Sequence, residues 1–570
     1  MKILLTAVNA KYIHSNLAVY SLKSYAQSFM DENVKDVQIE IAEYTINQQI
    51  DDILRDIYMK APDVLCLSCY IWNIQYIEEI VREYSKICPD TVIWLGGPEV
   101  SYDALKVLER LPMVKGVVKG EGEETFKKLA EGEDLETIQG ITYRTEEGEI
   151  KEQGWRPVMN LSDVPFVYHD MEDFKNKIIY YESSRGCPFN CSYCLSSIDK
   201  RLRFRSLDLV KKELQFFIDQ EVPQVKFVDR TFNCSHEHAM TIWKYLIAHD
   251  KGITNFHFEV SADLLNEEEI RLIRSMRPGL IQLEIGVQST NPQTIKEIHR
   301  TMKFEEVARI VKEIKENGNV HQHLDLIAGL PYEDITSFAK SFDDVYALRP
   351  EQLQLGFLKV LKGSYMEEMQ KEYGLVYKDV PPYEVLYTNW LSYKDVLRLK
   401  GIEEMVEVYY NSSQFTLTLE KLDAEFESAF TLYDEMASYY EEKGYDKVSH
   451  SRVSRYAILL DFIGTKFPER VEEFREYLTY DYYLRENAKT RPEFAGEYLM
   501  DKNVLRDFYE EESRERTYLT GYEKYDKNQM RKMTHLEHFP HLGKTILFDY
   551  QHRSLLTREA KTIDIKLLQK

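Results

Sequence analysis

Residues Ser183 to Cys194 read SSRGCPFNCSYC and contain three of the seven cysteines of the chain. These three, Cys187, Cys191 and Cys194, come directly after a run that predicts a strand, and a glycine and a proline flank the first of them. Thiolates separated by three and then two residues on one loop can hold three irons of a four-iron cluster. The fourth iron then has no protein ligand, so a substrate or cofactor can bind it directly.

Two other interpretations of the triplet stay open at this point. A zinc knuckle needs a fourth donor to complete its tetrahedron, and Cys234 or His236 on a later loop can supply one. Free thiols are the other alternative.

The residues around the triplet alternate between short apolar runs and amphipathic helical stretches. Six of the runs predict strands, near residues 178–183, 224–228, 257–260, 282–286, 323–328 and 352–359. Parallel strands with helices outside them predict an open, partial (β/α)6 barrel over residues 178–370, whose chemistry lies at the carboxyl ends of the strands.

The first third of the chain shows a second series of strands and helices. Its five apolar runs, near residues 2–8, 37–42, 64–68, 92–95 and 114–118, predict a parallel sheet with helices on both faces. The fold class is therefore α/β, with a Rossmann-like domain at residues 1–135 whose ligand crevice lies beyond the strand ends. Residues 136–177 predict a linker with a hairpin around Glu147-Gly148, and residues 371–570, rich in tyrosine and poor in glycine, predict a mainly α-helical domain.

Composition limits the classes of function. The formal net charge of -23 disfavours nucleic acid as a partner, and no run of about 18 apolar residues predicts a membrane span. The odd and uneven set of cysteines argues against a disulfide framework and for the cytoplasm.

The triplet, with Tyr193 just before its last cysteine, resembles the radical S-adenosylmethionine (SAM) superfamily. The resemblance implies a 4Fe-4S cluster on the three cysteines and SAM chelated to the open iron. It also implies reductive cleavage of SAM to a 5'-deoxyadenosyl radical, an anaerobic setting, and a reductant such as flavodoxin or ferredoxin.

Later segments strengthen the resemblance. FEVSADLL, LEIGVQST, IHRTMKFEE and LDLIAGLPYED resemble strand-end segments of the oxygen-independent coproporphyrinogen dehydrogenase branch. This implies that SAM contacts Tyr193, Glu259, Gln288, Arg300 and Asp325. Two segments depart from the family pattern: FVDRTFN (227–233) replaces a glycine-rich segment, and KGS (362–364) stands where many relatives have PGT. The detailed amino-acid and adenine contacts are therefore left open.

The first domain has glycine-containing segments after two strands, LGGPEVS (95–101) and KGEGEETF (119–126). Glycines let the backbone approach a large flat ligand. Ahead of a radical barrel, this pattern resembles the cobalamin-binding domain of cobalamin-dependent radical enzymes, which implies contacts from Ser68, Gly96, Gly97, Gly120 and Glu121. The usual Asp-x-His-x-x-Gly motif is missing. His14 can replace its histidine below cobalt, but cobalamin with water or with no protein ligand there is an equal alternative.

The resemblance favours methyl transfer from methylcobalamin to a carbon of a small molecule or peptide. Radical cyclisation or rearrangement is the first alternative, and a non-catalytic cobalamin carrier or sensor is the second. A methylthiotransferase acting on RNA would need a second cluster on Cys66, Cys69 and Cys88, which are interpreted mainly as core residues. Residues 371–570 resemble an uncharacterised helical domain (DUF4080-like) of one cobalamin-dependent subgroup, and His535, His538 and His541 form a secondary candidate for a metal site.

Overall fold

The computed structural model describes residues 1–34, 36–198, 200–554 and 557–566, apart from the side chain of Ser197. The chain forms two compact units. The first comprises Met1–Val320, Ile327–Asp334 and Gly356–Ser392, and the second comprises His321–Leu326, Ile335–Leu355 and the described part of Tyr393–Lys570.

The strands, in chain order, are β1 (Lys2–Asn9), β2 (Gln38–Thr45), β3 (Val64–Ser68), β4 (Val92–Gly96), β5 (Gly116–Val118), β6 (Ile141–Arg144), β7 (Ile150–Glu152), β8 (Ile179–Tyr181), β9 (Ser184–Arg185), β10 (Arg203–Phe204), β11 (Gln224–Phe227), β12 (Asn255–Val260), β13 (Ile281–Gln288), β14 (His321–Ala328), β15 (Gln352–Phe357), β16 (Val376–Tyr377), β17 (Val385–Tyr387), β18 (Thr534–Phe539), β19 (Lys544–Asp549) and β20 (Lys561–Asp564).

The α-helices are α1 (Leu17–Phe29), α2 (Ile50–Lys60), α3 (Ile74–Ile87), α4 (Pro98–Ser101), α5 (Ala104–Arg110), α6 (Glu123–Glu131), α7 (Leu207–Asp219), α8 (His236–His249), α9 (Glu267–Arg274), α10 (Pro292–Glu297), α11 (Phe304–Asn317), α12 (Ile335–Tyr346), α13 (Tyr365–Glu368), α14 (Tyr393–Met405), α15 (Thr416–Asp423), α16 (Ala429–Lys443), α17 (Arg452–Lys466), α18 (Val471–Arg485), α19 (Lys502–Glu515) and α20 (Lys527–Met533).

The amino-terminal sheet of the first unit has the strand order β2-β1-β3-β4-β5-β6-β7. Its first five strands are parallel, as predicted. Because successive side chains of a strand point to opposite faces, Ile3, Leu5 and Ala7 pack with residues of α1 and α6, while Leu4 and Val8 pack with residues of α2, α3 and α5. Helices therefore cover both faces, and the carboxyl ends of the strands form one open edge.

The hairpin expected in the linker is formed by β6 and β7, and it extends this sheet instead of standing apart from it. Ile141 and Tyr143 of β6 are buried in a cluster with Trp94 and Ile138. Burial of these apolar side chains explains why the hairpin pairs with β5, and the sheet thus runs past residue 135 to Glu152.

The six strands predicted for the central domain are present as β8 and β11 to β15. Within the first unit, β8, β11, β12 and β13 are neighbours in this order and run parallel. The register places Tyr180, Lys226 and His257 side by side, while Phe227 and Phe258 are fully buried on the other face. One face of these strands is thus polar, as expected of a barrel interior that receives ligands.

The second unit is mainly helical, as predicted for the carboxyl-terminal part of the chain. A three-stranded antiparallel sheet of β18, β19 and β20 follows α19 and α20 in the sequence. This sheet was not predicted. Within the described part of the chain, no helix has both the length and the apolar character needed to cross a membrane.

Candidate functional site

The cysteine loop leaves β9 through a sharp bend at Gly186, which has a φ of +92°. A Cβ on Gly186 would lie 2.6 Å from the carbonyl oxygen of Arg201, so only glycine fits there. Cys187 is buried, Cys191 and Cys194 are partly exposed, and none of the three forms a disulfide. The local sequence therefore places three thiols on one turn of chain beyond the barrel strands.

The electrostatics of the loop fit an iron–sulfur cluster. Burial raises the pKa of the Cys187 thiol, and negative charge on Cys194 and Cys191 raises it further, while the Phe189 N–H and the Thr231 hydroxyl act in the opposite direction. Three thiolates here repel one another unless a cationic group neutralises them. The irons of a cluster supply that positive charge, so the donor set suits one.

The two candidates for a fourth zinc ligand fit less well. His236 Nδ1 lies 3.2 Å from Glu269 Oε1 and 2.9 Å from the Asn266 side chain, so this ring is engaged outside the loop. Burial raises the pKa of Cys234 to about 11, helped by the charges of Cys187 and Asp229. A metal would have to displace the proton of this thiol at a cost.

Three predicted residues of the SAM site, Tyr193, Gln288 and Arg300, come together beside the loop. Arg300 Nη1 lies 3.8 Å from Cys191 Sγ and 3.3 Å from Tyr193 Oη, and Arg300 Nη2 donates to the Gly286 carbonyl. A Cβ on Gly286 would lie 2.4 Å from Gln288 Nε2, so the glycine makes room for Gln288 against Arg300. Gln288 has a φ of +72°, a strained value for a residue other than glycine.

Two buried polar atoms of this group have no hydrogen-bond partner among the described residues, Gln288 Oε1 and Arg300 Nε. A buried guanidinium N–H and a buried amide oxygen without partners are costly unless a ligand satisfies them. The group therefore suits a ligand with a carboxylate and donor groups, which is the chemistry of the methionyl part of SAM.

The other two predicted SAM residues, Glu259 and Asp325, lie on the strands β12 and β14. Glu259 of β12 is the register partner of Glu284 on β13. Asp325 belongs to the second unit, where its Oδ1 lies 3.0 Å from His323 Nε2. Contact of either residue with SAM stays a prediction.

A charged group in the barrel interior was not predicted from the sequence. Glu284 Oε2 lies 3.0 Å from both Lys226 Nζ and His257 Nε2. Burial opposes ionisation of Glu284, but the hydrogen bond from His257 and the charge of Lys226 prevail and lower its pKa to about 2. Polar residues at alternate positions of otherwise apolar strands were the signal that could have identified this group.

A cavity of about 750 Å³ lies beyond the strand ends of the amino-terminal sheet. Residues that follow β1, β3, β4 and β5 line one side, and Ser184, Arg185 and Gly186, which lead into the cysteine loop, line another. All six residues predicted to contact cobalamin line this cavity: His14, Ser68, Gly96, Gly97, Gly120 and Glu121. Their contact with cobalamin itself remains a prediction.

His14 is docked on the first barrel strand. Its Nδ1 lies 2.6 Å from Tyr180 Oη, and its backbone forms a parallel bridge with Ile178. Burial lowers the pKa of His14, and the positive charges of Lys11 and Lys226 lower it further, so the ring is neutral at pH 7. A neutral imidazole can ligate a metal, and Tyr180 is placed to fix its tautomer.

Polar and charged contacts hold the cavity floor in place. Glu121 Oε1 lies 2.5 Å from Arg203 Nη1, and Arg185 donates to Glu123 at 2.9 Å and to Glu182 at 2.7 Å. Burial opposes the charge on Glu123, but Arg185 prevails and lowers the pKa of that carboxyl. The Glu121 side chain is thus engaged with Arg203 of β10.

Three further lining residues were missed. Tyr70 and Trp72 stack with ring centroids 4.4 Å apart and planes 9° from parallel. Arg230 is exposed at the cavity and forms no ion pair within the described residues. Each of these residues comes within a few positions of a strand end, which is where ligand-binding residues of such sheets are expected.

The alternative clusters do not converge. Cys66 is enclosed by its surroundings, which raises its thiol pKa to about 12, and Cys69 is fully buried and donates to the Leu67 carbonyl. In the second unit His535 lies 2.8 Å from Glu537, whereas His538 contacts Thr545 at 2.9 Å. His535 and His538 therefore contact different residues.

Three family models match the chain in succession. Residues 3–130 match the B12 binding domain, residues 181–345 match the radical SAM superfamily, and residues 371–555 match a protein family of unknown function, DUF4080. The third match agrees with the expected subgroup.

Two curated proteins are similar to about half of the chain. The uncharacterized methyltransferase PH0819 of Pyrococcus horikoshii is 26% identical over 317 residues, which is 52% of this chain and 68% of that protein. The cobalamin-dependent radical SAM methyltransferase TokK of Streptomyces tokunonensis is 23% identical over 339 residues, which is 55% of this chain and 50% of that protein. The similarity thus spans about two thirds of one relative and half of the other.

A solved structure has the same fold over a longer stretch. It is the radical S-adenosylmethionine methyltransferase TsrM from Kitasatospora setae, with cobalamin and a [4Fe-4S] cluster bound. The TM-score is 0.56 at 18% identity, with 67% of this chain and 82% of that chain covered. The likeness bears out the predicted α/β fold class.

Proposed function

We propose that the chain is a cobalamin-dependent radical SAM methyltransferase, because residues 3–130 match the B12 binding domain and residues 181–345, which follow them, match the radical SAM superfamily. The names of its methyltransferase relatives support the choice of reaction. The substrate class is a small molecule or a peptide.

One observation carries the proposal. The cavity of about 750 Å³ is lined both by the glycine-containing strand ends of the B12 binding domain and by Ser184 to Gly186, directly before the first cluster cysteine. Methyl transfer requires the methyl donor and the site of radical formation to face the same substrate. A single cavity shared by the two domains meets that requirement.

The residues fit the three groups that this chemistry requires. Cys187, Cys191 and Cys194 would hold a 4Fe-4S cluster, and Gln288 and Arg300 would bind SAM through their unpartnered buried atoms. The six lining residues named above would hold cobalamin. When bound, the cluster and SAM supply a 5'-deoxyadenosyl radical and cobalamin supplies a methyl group.

The residues of the protein would bind and orient these groups and shield them from water. Arg300 contacts the Cys191 thiol and the Tyr193 hydroxyl, so it is placed to orient a carboxylate next to the cluster loop. The ion pairs of Arg185 fix the segment between the cavity and Cys187. Tyr70 and Trp72 offer an apolar, stacked surface that keeps water from part of the cavity.

The proposed setting is the cytoplasm of an anaerobic cell or compartment, with flavodoxin or ferredoxin as the one-electron donor. Because the chain is acidic, we do not expect it to bind nucleic acid.

The test is anaerobic reconstitution of the full chain with iron, sulfide and cobalamin, followed by addition of SAM and dithionite. We expect 5'-deoxyadenosine from the natural chain and none from Cys191→Ala, because the variant lacks one of three cluster ligands. Cobalamin should stay bound in the variant, since Cys191 does not line the cavity. Cys88→Ala is the matched control, because Cys88 packs against the apolar core of the amino-terminal sheet and should leave cleavage unchanged.

The products separate the alternatives. Cleavage that survives Cys191→Ala would show that the cluster assignment is wrong. 5'-Deoxyadenosine formed with a cyclised or rearranged product and no methylated one would favour a radical cyclase. Cobalamin binding without any cleavage in the natural chain would favour a carrier or sensor.

A further inference from the structure

Asp229 follows β11, and its carboxylate is fully buried. The Ser183 N–H donates to its Oδ2 at 2.9 Å, and the hydroxyls of Ser183 and Ser184 donate to its Oδ1 at 2.7 and 2.6 Å. All three donors are neutral, and among the described residues Asp229 has no ion pair. A buried carboxylate without a cation costs several kcal/mol, so this charge is an unusual feature of the barrel.

His238 completes the network behind Ser183. Its Nε2 lies 2.9 Å from Ser183 Oγ, and burial lowers the pKa of His238 to about 4, so the ring is neutral. Because the Ser183 hydroxyl gives its proton to Asp229, His238 donates its Nε2–H to Ser183 Oγ. This order differs from a hydrolytic triad, in which the histidine accepts the serine proton. The network therefore holds Ser183 and does not activate it as a nucleophile.

The two serines lead directly into the first cluster cysteine. Ser184 and Arg185 pair with β10, and the Arg205 N–H donates to the Ser183 carbonyl at 2.9 Å. Only the tight bend at Gly186 separates this clamped segment from Cys187. On the other side, Thr231, two residues after Asp229, places its Oγ1 3.9 Å from Cys187 Sγ. Asp229 thus fixes the course of the chain into Cys187 from the neighbouring strand.

We propose that Asp229 is a positioning residue for the cysteine loop and that its negative charge lowers the reduction potential of the cluster held there. The proposal rests on the proposed function, because it requires a cluster on Cys187, Cys191 and Cys194. A reduced cluster carries one more electron, and a buried negative charge nearby disfavours that electron at low local dielectric. The charge also acts on a neighbouring thiol, since Asp229 helps to raise the pKa of Cys234.

The experiment compares two variants of the full chain after anaerobic loading with iron and sulfide. Asp229→Asn keeps the size of the side chain, removes its charge and replaces one acceptor by a donor. We expect it to load less cluster than the natural chain, with a midpoint potential, followed by electron paramagnetic resonance in a redox titration, that is more positive. Ser183→Ala breaks the link to His238 and removes one of the donors that lower the pKa of Asp229, so the redox titration is run at about pH 9, where Asp229 stays ionised. We expect it to load less cluster at an unchanged potential.

Asp208→Asn is the control, because Asp208 is an exposed carboxylate on α7 and should change neither property. A cluster of natural potential in Asp229→Asn would overturn the electrostatic role, as would an equal positive shift in Ser183→Ala. Full cluster occupancy in Ser183→Ala would overturn the positioning role. If Asp229→Asn does not fold, Ser184→Ala takes its place, and full occupancy there counts in the same way against positioning.

A measurement on the cluster-free protein separates this proposal from the proposed function. If the natural chain takes up no iron, the function fails, but the charge of Asp229 can still be measured through Cys234. Alkylation of Cys234 by iodoacetamide, mapped by mass spectrometry, should be faster in Asp229→Asn than in the natural chain. Equal rates would contradict the electrostatic argument.

Discussion

At the scale of single residues, Gly97 shows how tightly the cavity wall is built. It has a φ of +118°, and a Cβ on it would lie 2.4 Å from the carbonyl oxygen of Cys69. Position 97 therefore requires glycine, because a side chain there would collide with Cys69. A Cβ on Gly96 would meet only ordinary contacts at 3.6 Å.

We expect Gly97→Ala to destabilise the first unit by at least about 1–3 kcal/mol, from the backbone conformation alone, and to weaken cobalamin binding. Thermal unfolding and equilibrium dialysis measure the two effects. Gly154→Ala is the control, because nothing lies within 4 Å of its Cβ and its φ is not positive. A Gly97→Ala protein with natural stability would contradict this account.

The sequence was enough to predict which residues lie together where one rule sufficed. The strand-end rule for parallel sheets is enough to bring Ser68, Gly96 and Gly120 to one cavity. The Asp229 network was out of reach, because Asp229 and Ser184 are 45 positions apart and only the pairing of strands brings them together.

At the scale of elements, α15 begins without a cap of its own, since Phe415 precedes it. Asp481 of α18 supplies the missing acceptor, with the Leu417 N–H at 2.9 Å and the Thr418 N–H at 2.8 Å. Burial raises the pKa of Asp481 to about 7, although these hydrogen bonds act in the opposite direction. One helix of the second unit is thus capped by a carboxyl group of its neighbour.

This arrangement makes the second unit sensitive to pH. The folded state binds a proton at Asp481 more tightly than the unfolded state, so stability falls as the pH rises from about 4 to about 7. Between about pH 5 and pH 8 we expect the natural chain to lose roughly 2–3 kcal/mol relative to Asp481→Asn, which cannot titrate. Hydrogen exchange of residues 416–423, corrected for intrinsic rates, gives the measurement, and a pH-independent difference would contradict the prediction.

The strand β18 was missed because the local sequence does not show its pairing partner. The strand β18 reads THLEHF, and its closely spaced histidines suggested a metal site instead of a strand. The segment is a strand because it pairs with β19, about ten residues further along the chain, and no signal in the segment itself reveals that partner.

At the scale of the whole molecule, the first unit joins the amino-terminal sheet to the barrel through buried charges. Lys362 Nζ lies 3.0 Å from Glu99 Oε1 and 3.1 Å from Asp103 Oδ2, and the Tyr383 hydroxyl also donates to Glu99. Burial opposes the charge of Lys362, but the two carboxylates prevail and raise its pKa. Glu99 lies two residues after Gly97, so these contacts hold the cavity wall against the barrel.

We expect Lys362→Met to destabilise the first unit by about 3 kcal/mol and to weaken cobalamin binding, because it leaves Glu99 buried without its cation. The double variant with Glu99→Gln should recover much of the loss, since neither charge then remains. Lys340→Met, which removes an exposed pair with Asp344, is the control and should have little effect. Absence of recovery in the double variant would count against a charge effect.

The order of domains and the class of fold were predictable, because periodicity distinguishes a parallel α/β series from a run of helices. The KGS segment at 362–364, which only departed from the family pattern in the sequence, proved to contain this contact residue. Its partners lie more than 250 positions earlier in the chain, at Glu99 and Asp103, so no local pattern identifies them.

The lining of the cavity has a consequence for the synthesis of the protein. Every lining residue lies between Leu5 and Arg230, so all walls have been translated while more than half of the 570 residues are still to come. A nascent chain paused beyond Arg230 already contains each side chain that faces the cavity. The contacts of Lys362 with Glu99 and Asp103, which hold one wall of the cavity, form only after residue 362 has been made, so the cavity gains its full support late in synthesis.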